Sequence, residues 1–315
     1  MNIRKLKNEL WNNTPQVLFH KTRKKILGRN SIESFDEEHP CVFVLSTGRV
    51  GSETLAHLAG LAKNIISYHE PLPKLFALSK LAYELSKKFN TDIDLEKIFT
   101  EAFVTSRSHL IQNSLFCGQG YIETGPDPTF LAPIILEAIP EARFIHLVRN
   151  PEKVVQSGAL RHWYDGHGMD YSRIIPDPSS RFGKTWVEFS PYEKNLWLWA
   201  ETNRWILDFS QSISPDKYLL LQSEDVFSAN ESAINKMYQF LSSDQPSQTK
   251  ISRILGKRYN AQLSASSIYP EIKYSNIDQD LFVFAKEIAM KLGYQVNNRE
   301  VFRVTNLHDK ATFFL

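Results

Sequence analysis
Only two cysteines occur in the 315 residues, Cys41 inside an apolar run and Cys117 just before Gly118, so a disulfide framework is excluded and a reducing cytoplasm is the expected home. No apolar run approaches the roughly 18 residues a spanning helix needs, so none is expected. The basic start is not followed by a continuous apolar region, which argues against a signal peptide. The nine histidines show no paired spacing on one helix; His69, His146 and His162 are scattered, and no metal site is expected. A formal net charge of +2 is too small for nucleic-acid binding through bulk electrostatics. Neither a Gly/Ser linker nor an internal repeat interrupts the chain. With 42% hydrophobic residues, it can bury one large core.

The chain does hold apolar strand-like runs alternating with helical segments, a pattern that predicts an α/β fold: a mainly parallel central sheet flanked by helices and joined by right-handed crossovers. Residues 41–55, CVFVLSTGRVGSETL, read as a buried strand, a glycine-bearing loop and a helix start. Gly48 and Gly51 let the backbone curl so that successive N–H groups near Arg49, Val50, Ser52, Glu53 and Thr54 can face an anion. The following helix adds its positive end, Arg49 a forked cation, and Ser52 and Thr54 hydroxyls. Phosphate or sulfate is the natural guest. A kinase or GTPase loop would place Lys after the second glycine, and none stands there.

A second strand, residues 142–148, runs into Arg149, Asn150 and Pro151 and then a helix, with Ser157 eight positions after Arg149. Taken in order, these two elements resemble the sulfotransferases that use 3′-phosphoadenylyl sulfate, in their carbohydrate and bacterial-type branch. The resemblance implies a P-loop-like three-layer sandwich, with the loop from Gly48 to Thr54 on the 5′-phosphosulfate and with Arg149 and Ser157 on the 3′-phosphate. It extends over roughly residues 41–295. SYHEPLP places Glu70 where such enzymes carry a catalytic base, with His69 beside it as the competing candidate. GYIETGP brings Glu123 to a third strand end, Trp199 and Asn203 match a long helix, and Glu224 and Asp225 match the turn after the next strand.

Two departures stand out. Glu53 replaces a hydroxyl residue, and a carboxylate beside a phosphosulfate is expected to turn outward, at a helix start that suits its charge. The family's basic C-terminal glycine loop is not recognisable; Gly256, Lys257, Arg258 and Asn260 are the candidates to replace it, with Lys257 and Arg258 on the nucleotide. The implied reaction is in-line sulfuryl transfer to an acceptor hydroxyl of a carbohydrate or glycolipid, with Arg49 assisting the leaving group and no metal required. A catalytically silent nucleotide-binding protein of the same fold and a P-loop kinase are the alternatives.

On the acceptor side, residues 162–192 are rich in Pro, Gly and aromatics and read as a long functional loop. Trp163, Tyr164, Tyr171 and Trp186 are candidate sugar-facing surfaces there, and His162, His167 and Arg173 candidate hydrogen-bonding groups. The helical segment from Leu72 to Leu115 is expected to cover the other side. Residues 1–40 form a basic arm, with Arg4, Lys5, Lys7, Lys21, Arg23, Lys24, Lys25 and Arg29 set among Leu6, Leu10, Trp11 and Phe19, suited to packing on the domain or to peripheral membrane contact. The expected division is therefore 1–40, 41–295 and a C-terminal extension, 296–315.

Overall fold
The computed structural model describes residues 35–89, 92–257, 259, 277–296 and 304–306. The basic arm up to residue 34, Arg258 and Asn260 lie outside the described residues. Strands β1 (Cys41–Leu45), β2 (Ile65–His69), β3 (Gly120–Thr124), β4 (Arg143–Val148) and β5 (Tyr218–Gln222) form one sheet in the order β2-β3-β1-β4-β5. Every pairing is parallel, so the α/β sandwich read from the sequence is the fold observed. The uncharged run CVFVL lies wholly buried at the sheet centre, whereas the edge strands β2 and β5 are mostly half-buried.

Helix α1 (Ser52–Ala59) leaves β1 toward β2, while α5 (Pro151–Ala159) leaves β4 toward β5 on the other side. The carboxyl ends of β1 and β4 therefore flank the topological switch point, where ligands of such sheets bind. The segment from Leu72 to Leu115 divides into two helices, α2 (Phe76–Phe89) and α3 (Ile93–Phe116), the second capped by the Asp92 side chain on the Leu95 N–H. Between β3 and β4 lies α4 (Ala132–Ala138). Residues 162–192 are not an open loop: they fold into a 3₁₀ turn and α6 (Arg181–Thr185) and lead into α7 (Pro191–Ser210). Tyr164, Trp186 and Trp197 interlock there edge to face, with ring centroids 5.3 Å apart.

Ser190 and Glu193 form a reciprocal capping box at the start of α7, and Pro191 fills the first helical position. From this helix Trp199, fully buried, donates its indole N–H to the Arg149 carbonyl at 3.0 Å, and Asn203 reaches His146. Both residues thus act by fixing β4 and its end. Helices α8 (Ser223–Phe227), α9 (Glu231–Phe240), α10 (Gln248–Leu255) and α11 (Gln279–Lys291) follow, and β6 (Tyr294–Val296) pairs antiparallel with β7 (Val304–Asn306). Among the described residues, no helix is long and apolar enough to cross a membrane.

Two buried groups give the fold a pH signature. His146 donates from Nε2 to Asn203 Oδ1 (2.8 Å) and accepts the Tyr218 hydroxyl at Nδ1 (2.7 Å), and burial pushes it down to about 4. Between that value and its ordinary 6.5, only the unfolded chain takes the proton, so stability falls as pH falls through this window, by up to roughly 3 kcal/mol. Asp127 behaves oppositely. Burial pushes its carboxyl up to about 7, so between 3.8 and that value the folded state holds the proton and stability falls as pH rises. The two contributions oppose each other in the parent. Thermal unfolding between pH 4 and 6.5 should therefore gain a rising slope with pH in Asp127→Asn and a falling one in His146→Gln; parent-like slopes in both would disprove the assignment.

Candidate active site
The loop after β1 lies at the switch point. Gly48, Arg49 and Gly51 all take left-handed backbone, with φ of 79°, 61° and 85°. Such a succession turns neighbouring N–H groups toward one concavity. Gly51 caps α1 without any side-chain bond, leaving the first-turn N–H groups open to an anion. Ser52 and Thr54 line the cleft, while the Val50 side chain is buried and its carbonyl is taken by Ser223.

β4 brings Arg149 to the same place. Its guanidinium donates to the Arg49 carbonyl at 3.2 Å, and Arg49 Nε donates to Ser157 Oγ at 3.0 Å. Arg49 and two residues about a hundred positions later thus meet in one contact chain. Burial, then the neighbouring Arg161 and Arg149, lower Arg49 to about 10, which leaves it a cation at neutral pH. Arg161 also lines the cleft; it follows Ser157 by four residues, a helical spacing that could have flagged it in the sequence.

Helix α8 anchors the end of β4 through two residues, one of which also holds the Arg49 loop. The Ser223 hydroxyl is shared between the Val50 carbonyl (2.6 Å) and the Val148 carbonyl (2.9 Å). Glu224 accepts the Asn150 N–H at 2.9 Å and, through its other oxygen, the Tyr294 hydroxyl at 2.9 Å. Phe227, on the same short helix, lies over Arg149 at 5.8 Å and closes on Gly51 so tightly that a Cβ there would sit 2.0 Å from its ring. No sequence pattern distinguished Phe227 from a core residue.

β2 ends in His69, Glu70 follows it, and both line the cleft. Strand alternation predicts that only one of them should, but Glu70 leaves the strand with a φ of 44°, and its carboxylate comes within 4.0 Å of His69 Nε2. The other imidazole nitrogen hydrogen-bonds Thr124 Oγ1 at 2.9 Å, and burial lowers the His69 pKa, favouring the neutral ring. Left-handed backbone at a non-glycine residue costs on the order of 1–3 kcal/mol and persists where surrounding contacts enforce it.

Glu53 departs from expectation. Rather than turning outward, it lines the cleft, one carboxylate oxygen buried, and its charge acts on Arg49 and His69. Glu123 is withdrawn from chemistry: it is 1% exposed, accepts Arg107 Nε at 2.7 Å and the Tyr121 hydroxyl at 2.6 Å, and faces the core. Lys257 lines the cleft beside Tyr259, whose ring stacks on His57 at 4.1 Å.

The whole cleft encloses about 720 Å³. Of the aromatic and polar candidates in residues 162–192, Trp163, His167 and Arg173 line it, with the Arg173 guanidinium 3.8 Å over the Trp163 ring. Tyr164 and Trp186 are spent on packing; His162 pairs outside with Asp165, and Tyr171 is 64% exposed. Helix α2 adds Phe76, Ser79 and Lys80 from the facing wall.

Sequence profiles place this arrangement. The profile of the sulfotransferase family matches residues 40–246, about two thirds of the chain. Similar solved structures include the sulfotransferase domain from the curacin biosynthetic pathway, at 19% identity over 82% of this chain and 99% of that one, with a TM-score of 0.49. The sulfotransferase domain of the Synechococcus PCC 7002 olefin synthase matches at 16% identity, 82% and 98% coverage and a TM-score of 0.47. A sulfotransferase from Alicyclobacillus acidocaldarius matches at 14%, with 81% and 94% coverage and a TM-score of 0.42. No curated protein matches the chain. On the extent of the profile match, the chain belongs to the sulfotransferase family.

Proposed function
We propose that the protein transfers a sulfuryl group from 3′-phosphoadenylyl sulfate to a hydroxyl of a carbohydrate or glycolipid acceptor. The observation that carries this reading is the contact chain of Arg149, Arg49 and Ser157 at the glycine loop, with Arg49, Arg149 and the strained Glu70 lining one cleft. Two anion sites on one wall suit a nucleotide bearing a 3′-phosphate and a 5′-phosphosulfate. Arg149 and Ser157 take the former; the loop N–H groups, Arg49 and Ser52 take the latter, with Lys257, and Arg258 beyond the described residues, on the nucleotide's flank.

In the reaction, the acceptor oxygen forms a bond to sulfur as the bond between sulfur and the bridging phosphate oxygen breaks, and 3′,5′-ADP leaves. Glu70 takes the hydroxyl proton. Arg49 and the loop N–H groups stabilise the charge that grows on the leaving phosphate, preorganised as in an oxyanion hole. Trp163 offers a flat apolar face to a sugar ring, while His167 and Arg173 offer polar contacts. Residues 41–295 would form the catalytic unit, in the cytoplasm, with the arm before it available for membrane contact.

Calorimetry with nucleotides tests the donor half. Because only 3′,5′-ADP reaches Arg149 and Ser157, it should bind more tightly than 5′-AMP, and Arg149→Ala should remove most of the difference, about 1.5–3 kcal/mol for a charge-assisted contact. Equal affinities in the parent would sink the 3′-phosphate assignment. A mass-spectrometric screen for a sulfate increment on glycans, glycolipids and small alcohols tests the acceptor half; binding of 3′,5′-ADP without any turnover would favour a silent nucleotide-binding protein.

A further inference from the structure
We infer that Lys74 is a positioning residue for Glu70, an inference that rests on the reading of Glu70 as the base. Lys74 spans both ends of that residue: its ammonium donates to the Glu70 backbone carbonyl at 2.6 Å and to Oε2 at 2.8 Å. It also lies 5.8 Å from the centre of the Phe76 ring, a cation–π placement that restrains the flexible lysine stem. Lys74 is not among the residues that line the cleft, so it reaches the chemistry through Glu70.

Three further contacts fix the frame in which this clamp works. The Glu70 N–H donates to the Thr124 carbonyl at 2.8 Å, the Leu75 N–H donates to Asp127 at 2.6 Å, and the buried Arg107 donates to the Pro73 carbonyl at 2.8 Å. Gly125 leaves room on the other side, since a Cβ there would sit 2.8 Å from Glu70 Cγ. The backbone between residues 70 and 75 is thus pinned at both ends, and Lys74 couples that pinned backbone to the carboxylate. By occupying Oε2, the ammonium turns Oε1 toward the cleft and toward His69 Nε2, 4.0 Å away. A base held in this way needs no reorganisation as the acceptor arrives.

Steady-state kinetics of Lys74→Met, in the parent and in a Glu70→Gln background, tests the assignment, with Lys74→Arg as the conservative variant. Lys74→Met should lower kcat roughly 10- to 100-fold at unchanged 3′,5′-ADP affinity, the usual cost of freeing a catalytic group from its outer partner. Lys74→Arg should recover much of the rate. In the Glu70→Gln background, Lys74→Met should have little further effect. Equal fractional losses in the two backgrounds, or a normal kcat in Lys74→Met beside a defective Glu70→Gln, would overturn the role of Lys74. Normal turnover in Glu70→Gln would instead overturn the base assignment, and the role of Lys74 with it.

Discussion

Glu70→Gln should lower turnover by about 10²–10⁴-fold while leaving 3′,5′-ADP affinity nearly unchanged. The amide keeps the size of the side chain and can still hydrogen-bond, but it cannot take the acceptor proton. Gln keeps the side chain's place on the cleft wall and leaves Arg49, Arg149 and Ser157 untouched, so the donor should not notice. His69 complicates the picture because it shares the cleft wall, 4.0 Å from the Glu70 carboxylate, in a form held neutral by burial. A neutral imidazole can accept a proton too. Measuring His69→Ala beside Glu70→Gln under saturating donor and acceptor separates the two: a large loss in the first with normal turnover in the second would move the base to His69. With Glu123 locked against Arg107, loss in neither would point to Glu53, the other carboxylate on the cleft.

Gly51→Ala should weaken donor binding by on the order of 10²-fold. Two costs add at this position. A left-handed backbone, here at φ 85°, costs a non-glycine residue about 1–2 kcal/mol. The new methyl would also lie 2.0 Å from the Phe227 ring, so the ring must move away from its place over Arg149. The strain falls on the loop and a side chain, so the global fold should survive. Pairing Gly51→Ala with Phe227→Ala should return the steric share of the loss and leave the backbone share. Donor affinity unchanged in Gly51→Ala, by calorimetry, would reduce Gly51 to a structural turn.

The legible parts of this molecule were those whose signal is local. An uncharged apolar run from Cys41 to Leu45 names a central strand, two glycines around Arg49 name a tight loop, and a strand ending in Arg-Asn-Pro names the start of α5. What was misread depended on partners distant in sequence. Glu123 looked available until Arg107, sixteen residues earlier on α3, proved to be its partner. Tyr164 and Trp186 looked exposed because proline and glycine surround them, but Trp197 on α7 gives them a packed surface. Glu53, and the expectation that only one of His69 and Glu70 faces the cleft, were misjudged for another reason. Periodicity assumes regular backbone, and Glu70 is where that backbone ends, while at Glu53 the helix-start argument weighed the macrodipole and not the charge of half-buried Arg49.

The shared hydroxyl of Ser223 fixes a length. By holding the Val50 and Val148 carbonyls together, it joins the loop that ends β1 to the turn that ends β4. If those loops hold the two phosphates of one nucleotide, the span between them becomes a gauge. A molecule with a single phosphate would fill half of it, and one whose phosphates lie closer together, such as pyrophosphate, could satisfy either end but not both. Selectivity would then come less from recognising adenine than from measuring the distance between charges, and a pinned scaffold measures better than one that can adapt.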